Sequence, residues 1–98
     1  MAIRTAADLR EAARRAGSHF FSRDTMRFWA SRLHSVYEVP DGAVFVTSEK
    51  SSFDDPTREF RVRIWNESEG SSKTLVDSIK TLSRAQSIAR SEAAKRRS

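Results

Sequence analysis

The stretch EFRVRIW, from Glu59 to Trp65, alternates strictly between apolar and charged side chains until its last residue. Successive side chains of a strand point to opposite faces of a sheet, so this period of two predicts a β-strand. One face of the strand is apolar and contains Phe60, Val62 and Ile64. The other face carries Arg61, Arg63 and Trp65. Such a strand needs partners that pair with its edges and cover its apolar face.

Two further segments predict strands that pair with this one. AVFVTS, from Ala43 to Ser48, alternates after a turn at Pro40-Asp41-Gly42. A shorter segment around Thr74 to Ile79 follows the polar turn NESEGSS. Connections this short allow hairpins and no crossovers, so the three segments predict an antiparallel meander.

Two helices are predicted before the strands. Residues 5–16 have Thr5 as the N-cap and Asp8 in the capping-box position, and Gly17 stops the helix. A second helix begins at Ser22 and continues through Leu33. Its apolar residues recur at helical spacing: Met26, Trp29, Ala30 and Leu33.

A third helix is predicted after the strands, with Ser83 as its cap and Gln86 in the capping-box position. Small and apolar residues form the stripe that faces the sheet: Leu82, Ala85, Ile88 and Ala89. The stripe is expected to pack on the sheet face that carries Phe60, Val62 and Ile64.

The predicted fold is therefore α+β in the order ααβββα: two N-terminal helices, a three-stranded antiparallel meander and a C-terminal helix. A chain of 98 residues is expected to form one domain. Residues 1–17 form an N-terminal helix that is either docked or loosely attached, and residues 18–98 form an α-βββ-α core.

The sequence contains few residues that could form a catalytic site. It has no cysteine, only three scattered glycines, and two histidines without a partner set in the sequence. Thiolate chemistry, a glycine-rich phosphate loop and a histidine-based metal site are therefore not expected. We expect no catalytic residue, no metal and no cofactor, and we expect that the protein is not an enzyme.

The first residues, MAIRTAADLR, lack the apolar core of a signal peptide, and no apolar run is long enough to cross a membrane. The sequence therefore predicts a cytoplasmic protein without a membrane partner.

Basic charge is concentrated toward the two ends of the chain. Lys and Arg number 18 against 13 Asp and Glu, a net charge of +5. Residues 1–40 carry +3, residues 41–80 carry −2 and residues 81–98 carry +4. This distribution favours an acidic partner, and nucleic acid foremost.

Nucleic acid, with DNA preferred, is the first partner that the sequence predicts. The candidate contact residues are Arg23, Arg27, Arg61, Arg63, Trp65, Arg90 and Arg97. Trp65 also has a purely structural interpretation, as a ring stacked on an arginine or covered by the first helix.

A host protein is the alternative partner. It would bind an exposed aromatic patch formed by Phe20, Phe21 and Phe28. A homodimer that buries the same rings against themselves is a third interpretation, so the protein is expected to be a monomer or a homodimer.

Three segments resemble known nucleic-acid-binding folds. AARRAGSHFFSRDTMRFWASRL resembles a helix-turn-helix, with three extra residues in the turn. EFRVRIWNESEGSSKTLVDSIKTLSRAQSIARSEA is similar to the small sheet domains that precede tyrosine recombinases, in which the sheet enters the major groove. The helix, three strands and basic last helix look like a double-stranded RNA-binding domain, without its lysine-rich helix start.

The segments HFFSRDTMRFWASR, VFVTSEK and EFRVRIWN together resemble a group of small proteins from actinobacterial phages and mobile elements, whose function is unassigned. In that group the order is FFSxxTMRFFxSR, VTSEK and RxYxVR. The resemblance covers residues 19–80 and leaves the first helix outside. It implies a phage or mobile-element origin and action inside an infected bacterium, and it implies no mechanism.

Overall fold

The computed structural model describes residues 2–18, 31–50, 54 and 57–97. These residues form two helices and four strands, in the order α1 (Ala6–Arg15), β1 (Arg32–Val39), β2 (Gly42–Lys50), β3 (Arg58–Asn66), β4 (Ser71–Ile79) and α2 (Leu82–Arg97). The strands form one antiparallel sheet in the order β1-β2-β3-β4. The α+β class and the meander agree with the sequence, but the predicted ααβββα order is wrong.

Strand β1 occupies the place where the second predicted helix would end. Leu33 and His34 belong to this strand, so a helix from Ser22 does not continue through Leu33. Residues 22–30 of that predicted helix lie outside the described residues. The pairing of β1 with β2 shifts register between Leu33 and Ser35, a bulge that breaks the alternation by which a strand is recognised.

Helix α1 begins and ends as its sequence predicts. Thr5 Oγ1 accepts a hydrogen bond from the Asp8 N–H at 3.1 Å, and Asp8 Oδ2 accepts one from the Thr5 N–H at 3.2 Å. At the other end Gly17 adopts φ +80°, and the Ser18 N–H reaches the Ala13 carbonyl at 2.9 Å. These bonds satisfy backbone groups at the helix ends that would otherwise lack partners.

The two helices cover opposite faces of the sheet. On the α1 face, Leu9, Ala12 and Ala13 of the helix are buried together with Ile3 and with sheet residues Ala43, Phe45 and Trp65. On the α2 face, Ala85, Ala89 and Ala93 are buried against sheet residues Val39, Val44, Val46, Val62, Ile64 and Ile79. Alternation along β2 and β3 sends neighbouring side chains to different cores, so the sheet is apolar on both sides.

The predicted contact of the last helix with the sheet is confirmed, and its predicted cap is wrong. Ala85 and Ala89 have no exposed surface, and Leu82 and Ile88 pack around them on the same face as Val62 and Ile64. The helix begins at Leu82, and Thr81 caps it: the Arg84 N–H donates to Thr81 Oγ1 at 3.3 Å. Gln86 takes no part in a capping box and instead donates from Nε2 to Ser35 Oγ at 2.8 Å.

Two turns meet at the end of the sheet where β2 begins. Asp41, in the β1–β2 turn, has φ +65°, and its carboxylate accepts hydrogen bonds from the N–H and the hydroxyl of Ser68 in the β3–β4 turn. The Asp41 carbonyl accepts a further bond from the Glu67 N–H at 2.8 Å. The two hairpins are thereby fixed to each other at this end.

Candidate nucleic-acid interface

The side of α2 that faces away from the sheet is defined by its buried alanines. Ala85, Ala89 and Ala93 recur every four residues and have no exposed surface. At about 100° per residue these positions form one narrow stripe, which brings the helix backbone close to the sheet. The opposite side of the helix consequently lies in solvent.

Serines lie at the centre of this outward side, and basic residues flank them. Ser87 and Ser91 are exposed and lie roughly opposite the alanine stripe. Two rows of exposed basic residues run along the flanks, one formed by Arg84 and Lys95 and the other by Arg90 and Arg97. The rows are separated by about 140° around the helix axis. We call this surface the α2 basic face: Arg84, Ser87, Arg90, Ser91, Lys95 and Arg97.

The helix carries five basic side chains against one acidic side chain, a net charge of +4. The one carboxylate, Glu92, forms ion pairs with Arg96 at 2.7 Å and with Lys95 at 3.4 Å. The hydrogen bond from Arg96, assisted by Lys95, holds the pKa of Glu92 below its ordinary value. No ion pair involves Arg84, Arg90 or Arg97 in the described part of the chain. These three guanidinium groups therefore present uncompensated charge.

Two of the predicted contact residues, Arg90 and Arg97, belong to the α2 basic face. Arg84 and Lys95 were absent from the sequence prediction, although the helical spacing of α2 was sufficient to find them. Arg97 also donates from Nε to the Ala93 carbonyl at 3.3 Å, which orients its side chain along the last turn.

Arg61, a predicted contact residue of the sheet, is engaged by carboxylates. It donates from Nε to Asp77 Oδ1 at 2.9 Å and lies 3.5 Å from Glu49 Oε1. Burial acts to lower the pKa of Arg61, but the hydrogen bond to Asp77 and the charges of both carboxylates outweigh it and raise that pKa. A phosphate would have to compete with these partners.

Of the other two sheet residues, Arg63 is partly buried and Trp65 is buried. Burial, with the charge of Arg61 as a second cause, lowers the pKa of Arg63. Trp65 is 1% exposed in the core beneath α1, and its Nε1–H donates to Glu67 Oε1 at 2.8 Å. Trp65 therefore has the environment of a core residue, and its ring has no surface to offer to a base.

The remaining predicted site residues lie outside the described residues. These are Arg23 and Arg27 of the nucleic-acid prediction and Phe20, Phe21 and Phe28 of the protein-binding alternative. Both roles stay predictions, as do the homodimer and the helix-turn-helix resemblance that depend on the same segment.

A second basic cluster, which no pattern in the sequence predicts, lies at the end of the sheet where β1 and β3 begin and β2 ends. Ser48 on β2 is 1% exposed, and its Oγ lies 2.6 Å from His34 Nε2 and accepts a hydrogen bond from Arg58 at 3.0 Å. The His34 ring also packs at 5.5 Å from the Phe60 ring. Arg32 pairs in register with Ser48. The sequence around His34 contains no partner for it, and only strand pairing shows its neighbours.

Residues 5–96 match a family of unknown function (DUF7447). The chain belongs to this family. No curated protein and no solved structure matches it.

The match to DUF7447 covers α1, the sheet and nearly all of α2, so it includes both helices. Within the residues that the structure describes, no helix of this DUF7447 protein is long and apolar enough to cross a membrane. The described residues also contain no group of three or more His, Asp or Glu arranged to hold a metal ion.

Proposed function

We propose that this protein binds nucleic acid, with duplex DNA as its partner, through the α2 basic face and without catalysing a reaction. The observation that carries the proposal is the arrangement of two basic rows on either side of exposed serines. Nucleic-acid binding draws most of its affinity from such contacts to phosphates.

The spacing of the two rows suits a duplex. An α-helix fits into the major groove of B-DNA, which is about 12 Å wide and has a phosphate backbone along each rim. Rows about 140° apart place guanidinium groups toward both rims at once. Arginine donates two parallel hydrogen bonds to a phosphate, which a lysine cannot do.

The serines support close approach. Ser87 and Ser91 have short side chains, so the helix backbone can come near the DNA between the two rows. Their hydroxyls can donate to phosphate or base oxygens. The alanine stripe on the other side fixes the rotation of α2, and this keeps the basic rows pointing outward.

The proposal moves the contact surface relative to the sequence prediction. Arg90 and Arg97 remain, and Arg84 and Lys95 join them; the Lys95 side chain is exposed although it lies 3.4 Å from Glu92. The sheet residues leave because Arg61 is held by two carboxylates and Trp65 is buried.

Fluorescence anisotropy with a labelled DNA duplex tests the proposal across a salt series. Four phosphate contacts predict that log K falls with log salt concentration with a slope of about −3 to −4. Arg90→Gln and Arg97→Gln should each weaken binding at every sequence tested and reduce the magnitude of the slope by about one. Arg14→Gln is the control for formal charge, because it removes one positive charge from an exposed position on α1, where Arg14 is ion-paired with Glu11 at 2.6 Å.

Two results would contradict the proposal. One is a loss of affinity in Arg14→Gln as large as that in Arg90→Gln, since net charge alone would then explain the binding. The other is an absence of binding to duplex DNA at low ionic strength. Tighter binding to duplex RNA than to DNA would refute the choice of DNA, because the deep major groove of A-form RNA does not admit a helix.

The same proposal includes the origin that the resemblance implies. We assign the protein to a phage or mobile element, as a small accessory protein acting in the cytoplasm of the host bacterium. Location of its gene within an integrated element supports this assignment, and location among conserved housekeeping genes contradicts it.

A further inference from the structure

The cluster at the end of β1, β2 and β3 has a fixed internal geometry. Arg58 can only donate, so it occupies one lone pair of Ser48 Oγ, and His34 Nε2 shares a hydrogen bond with the same oxygen at 2.6 Å. Because Ser48 is buried between these partners, it holds an imidazole and a guanidinium side by side at the surface.

Further positive charge surrounds this pair. Arg32 is exposed and lies opposite Ser48 in the β1–β2 register, and Lys50 is exposed and lies opposite Arg58 in the β2–β3 register. Burial, together with the charges of Arg58 and Arg32, lowers the pKa of His34. Burial and the charge of Arg32 lower the pKa of Arg58 as well. The groups are thus close enough to repel one another.

The neighbouring carboxylates on β2 and β3 do not compensate this charge. Glu49 lies within ion-pair distance of Arg61, and Glu59 lies 3.7 Å from Lys80. In the part of the chain that the structure describes, no ion pair involves Arg32, Lys50 or Arg58. A bound anion would relieve the repulsion and supply acceptors to the guanidinium N–H groups.

We propose that this end of the sheet binds a phosphate group, held between the guanidinium groups of Arg32 and Arg58 and the ring of His34. A tetrahedral phosphate presents oxygens in several directions and suits donors that arrive from two strands. Ser48 acts as a positioning residue, since it is buried and touches the ligand only through the groups it holds.

This site does not depend on the proposed role of the α2 basic face, because the two share no residue. It takes one phosphate group, either from the backbone of a nucleic acid or from a terminal or free phosphate monoester. The chemistry is the same for both sources, and the experiment separates them.

The test is a titration of the full chain with inorganic phosphate, at constant ionic strength with chloride as the exchanged anion, followed by two-dimensional NMR. Saturable shifts are expected at residues 32–34, 48 and 58. Arg32→Gln should lower the affinity about tenfold, as loss of one charge-assisted contact does. The exposed Arg32 makes no hydrogen bond to Ser48, so this variant keeps the cluster intact, and Arg58→Gln provides a second measurement.

Controls separate this site from the α2 basic face. Arg90→Gln should leave the phosphate affinity unchanged, whatever it does to DNA binding. Ser48→Ala should weaken phosphate binding and shift the His34 ring resonances in the absence of phosphate, whereas a role in stability alone would leave the phosphate affinity of the folded variant unchanged.

Two short single-stranded oligonucleotides that differ only in a 5′-phosphate distinguish the two sources of the phosphate group. A stronger response to the phosphorylated strand supports a terminal monoester, and equal responses at the same residues support a backbone phosphate. The site is refuted if none of the three probes gives saturable shifts at residues 32–34 and 58, or if Arg32→Gln and Arg90→Gln bind phosphate equally well.

Discussion

Gly42, the first residue of β2, should be the least replaceable glycine of the chain. It has φ +152°, and a Cβ built there would lie 1.8 Å from the carbonyl oxygen of Trp65 and 2.8 Å from its carbonyl carbon. Both atoms belong to the backbone of β3, the strand with which β2 pairs. An added methyl group therefore cannot be accommodated by turning a side chain.

The cost of Gly42→Ala follows from this geometry. Non-bonded carbon contacts are most favourable at about 3.5–4.0 Å, so the two strands would have to separate by roughly 1.5 Å at this point. That displacement disrupts the ladder hydrogen bonds that flank the Gly42–Asn66 pair, among them the one from the Glu67 N–H to the Asp41 carbonyl, each worth about 1 kcal/mol. Forcing alanine into a backbone conformation reserved for glycine adds about 1–3 kcal/mol. We expect a total loss of about 3–5 kcal/mol from the free energy of unfolding.

Two other glycines provide matched controls. Gly17 has φ +80°, and a Cβ added there would meet no atom within 4 Å, whereas one added at Gly70, with φ +62°, would lie 3.3 Å from the Ala16 Cβ. Gly17→Ala should cost only the backbone conformation, about 1–2 kcal/mol, and Gly70→Ala slightly more. Urea unfolding followed by circular dichroism measures all three variants. A cost for Gly42→Ala within about 1 kcal/mol of that for Gly17→Ala would show that the close approach of β2 and β3 is absent.

Three further outcomes are expected. Ile64→Ala should lower the free energy of unfolding by about 2–5 kcal/mol, because Ile64 is 7% exposed in the α2-face core, and a cost near zero in urea would place it outside that core. The pKa of His34 in the folded protein lies below its ordinary value of about 6.5, so the unfolded chain binds the proton more readily than the folded chain. The free energy of unfolding should therefore fall as the pH drops below about 6.5, and it should stop falling below the pKa of the folded state. His34→Gln should remove this component, and identical pH profiles of wild type and variant would contradict it. Asp41→Ala should lower the free energy of unfolding by about 2–3 kcal/mol, because two hydrogen bonds from Ser68 are lost and alanine is strained at a positive φ. Asp41→Gly should recover about 1 kcal/mol of this, because glycine adopts a positive φ without strain. Equal melting curves for the two variants would exclude the backbone contribution.

Elements whose signals are local were predictable from the sequence. Helix α1 follows its prediction because Thr5, Asp8 and Gly17 act on backbone groups within a few residues. Strand β3 follows from the alternation of residues 59–65, and the alanine stripe of α2 follows from helical spacing. The alternation in β3 and the alanine spacing in α2 each indicate which side of the element is buried.

Strand β1 was not predictable in the same way. The helical spacing of Met26, Trp29, Ala30 and Leu33 extends the helix prediction into a strand that begins at Arg32. The bulge between Leu33 and Ser35 interrupts the alternation that would have corrected it. The remaining signal was the run SVYEV before the Pro40-Asp41 turn, which is typical of the first arm of a hairpin with β2.

The residues predicted to contact nucleic acid divide in the same manner. The exposure of Arg90 and Arg97 was predictable, because a helical wheel shows which side of α2 faces solvent. The ion pair of Arg61 was not predictable, because its partner, Asp77, is 16 residues away and lies beside an irregularity in β4, where Ser78 has φ +56°. The His34 cluster needs three strands in register, and nothing within a single strand indicates it.

The meander order of the sheet sets the course of folding. Every strand pairs with the strand next to it in the chain, so each hairpin closes over a short loop and the sheet can form by sequential zippering. Helix α1 is the exception, because its partners come from β1, β2 and β3 and lie far along the chain: Leu33, Val36, Ala43, Phe45 and Trp65. It can complete its contacts only after those three strands have paired. The fluorescence of Trp65 should therefore change in intensity or wavelength in a late folding step, after the backbone amides of β2 and β3 have become protected from hydrogen exchange.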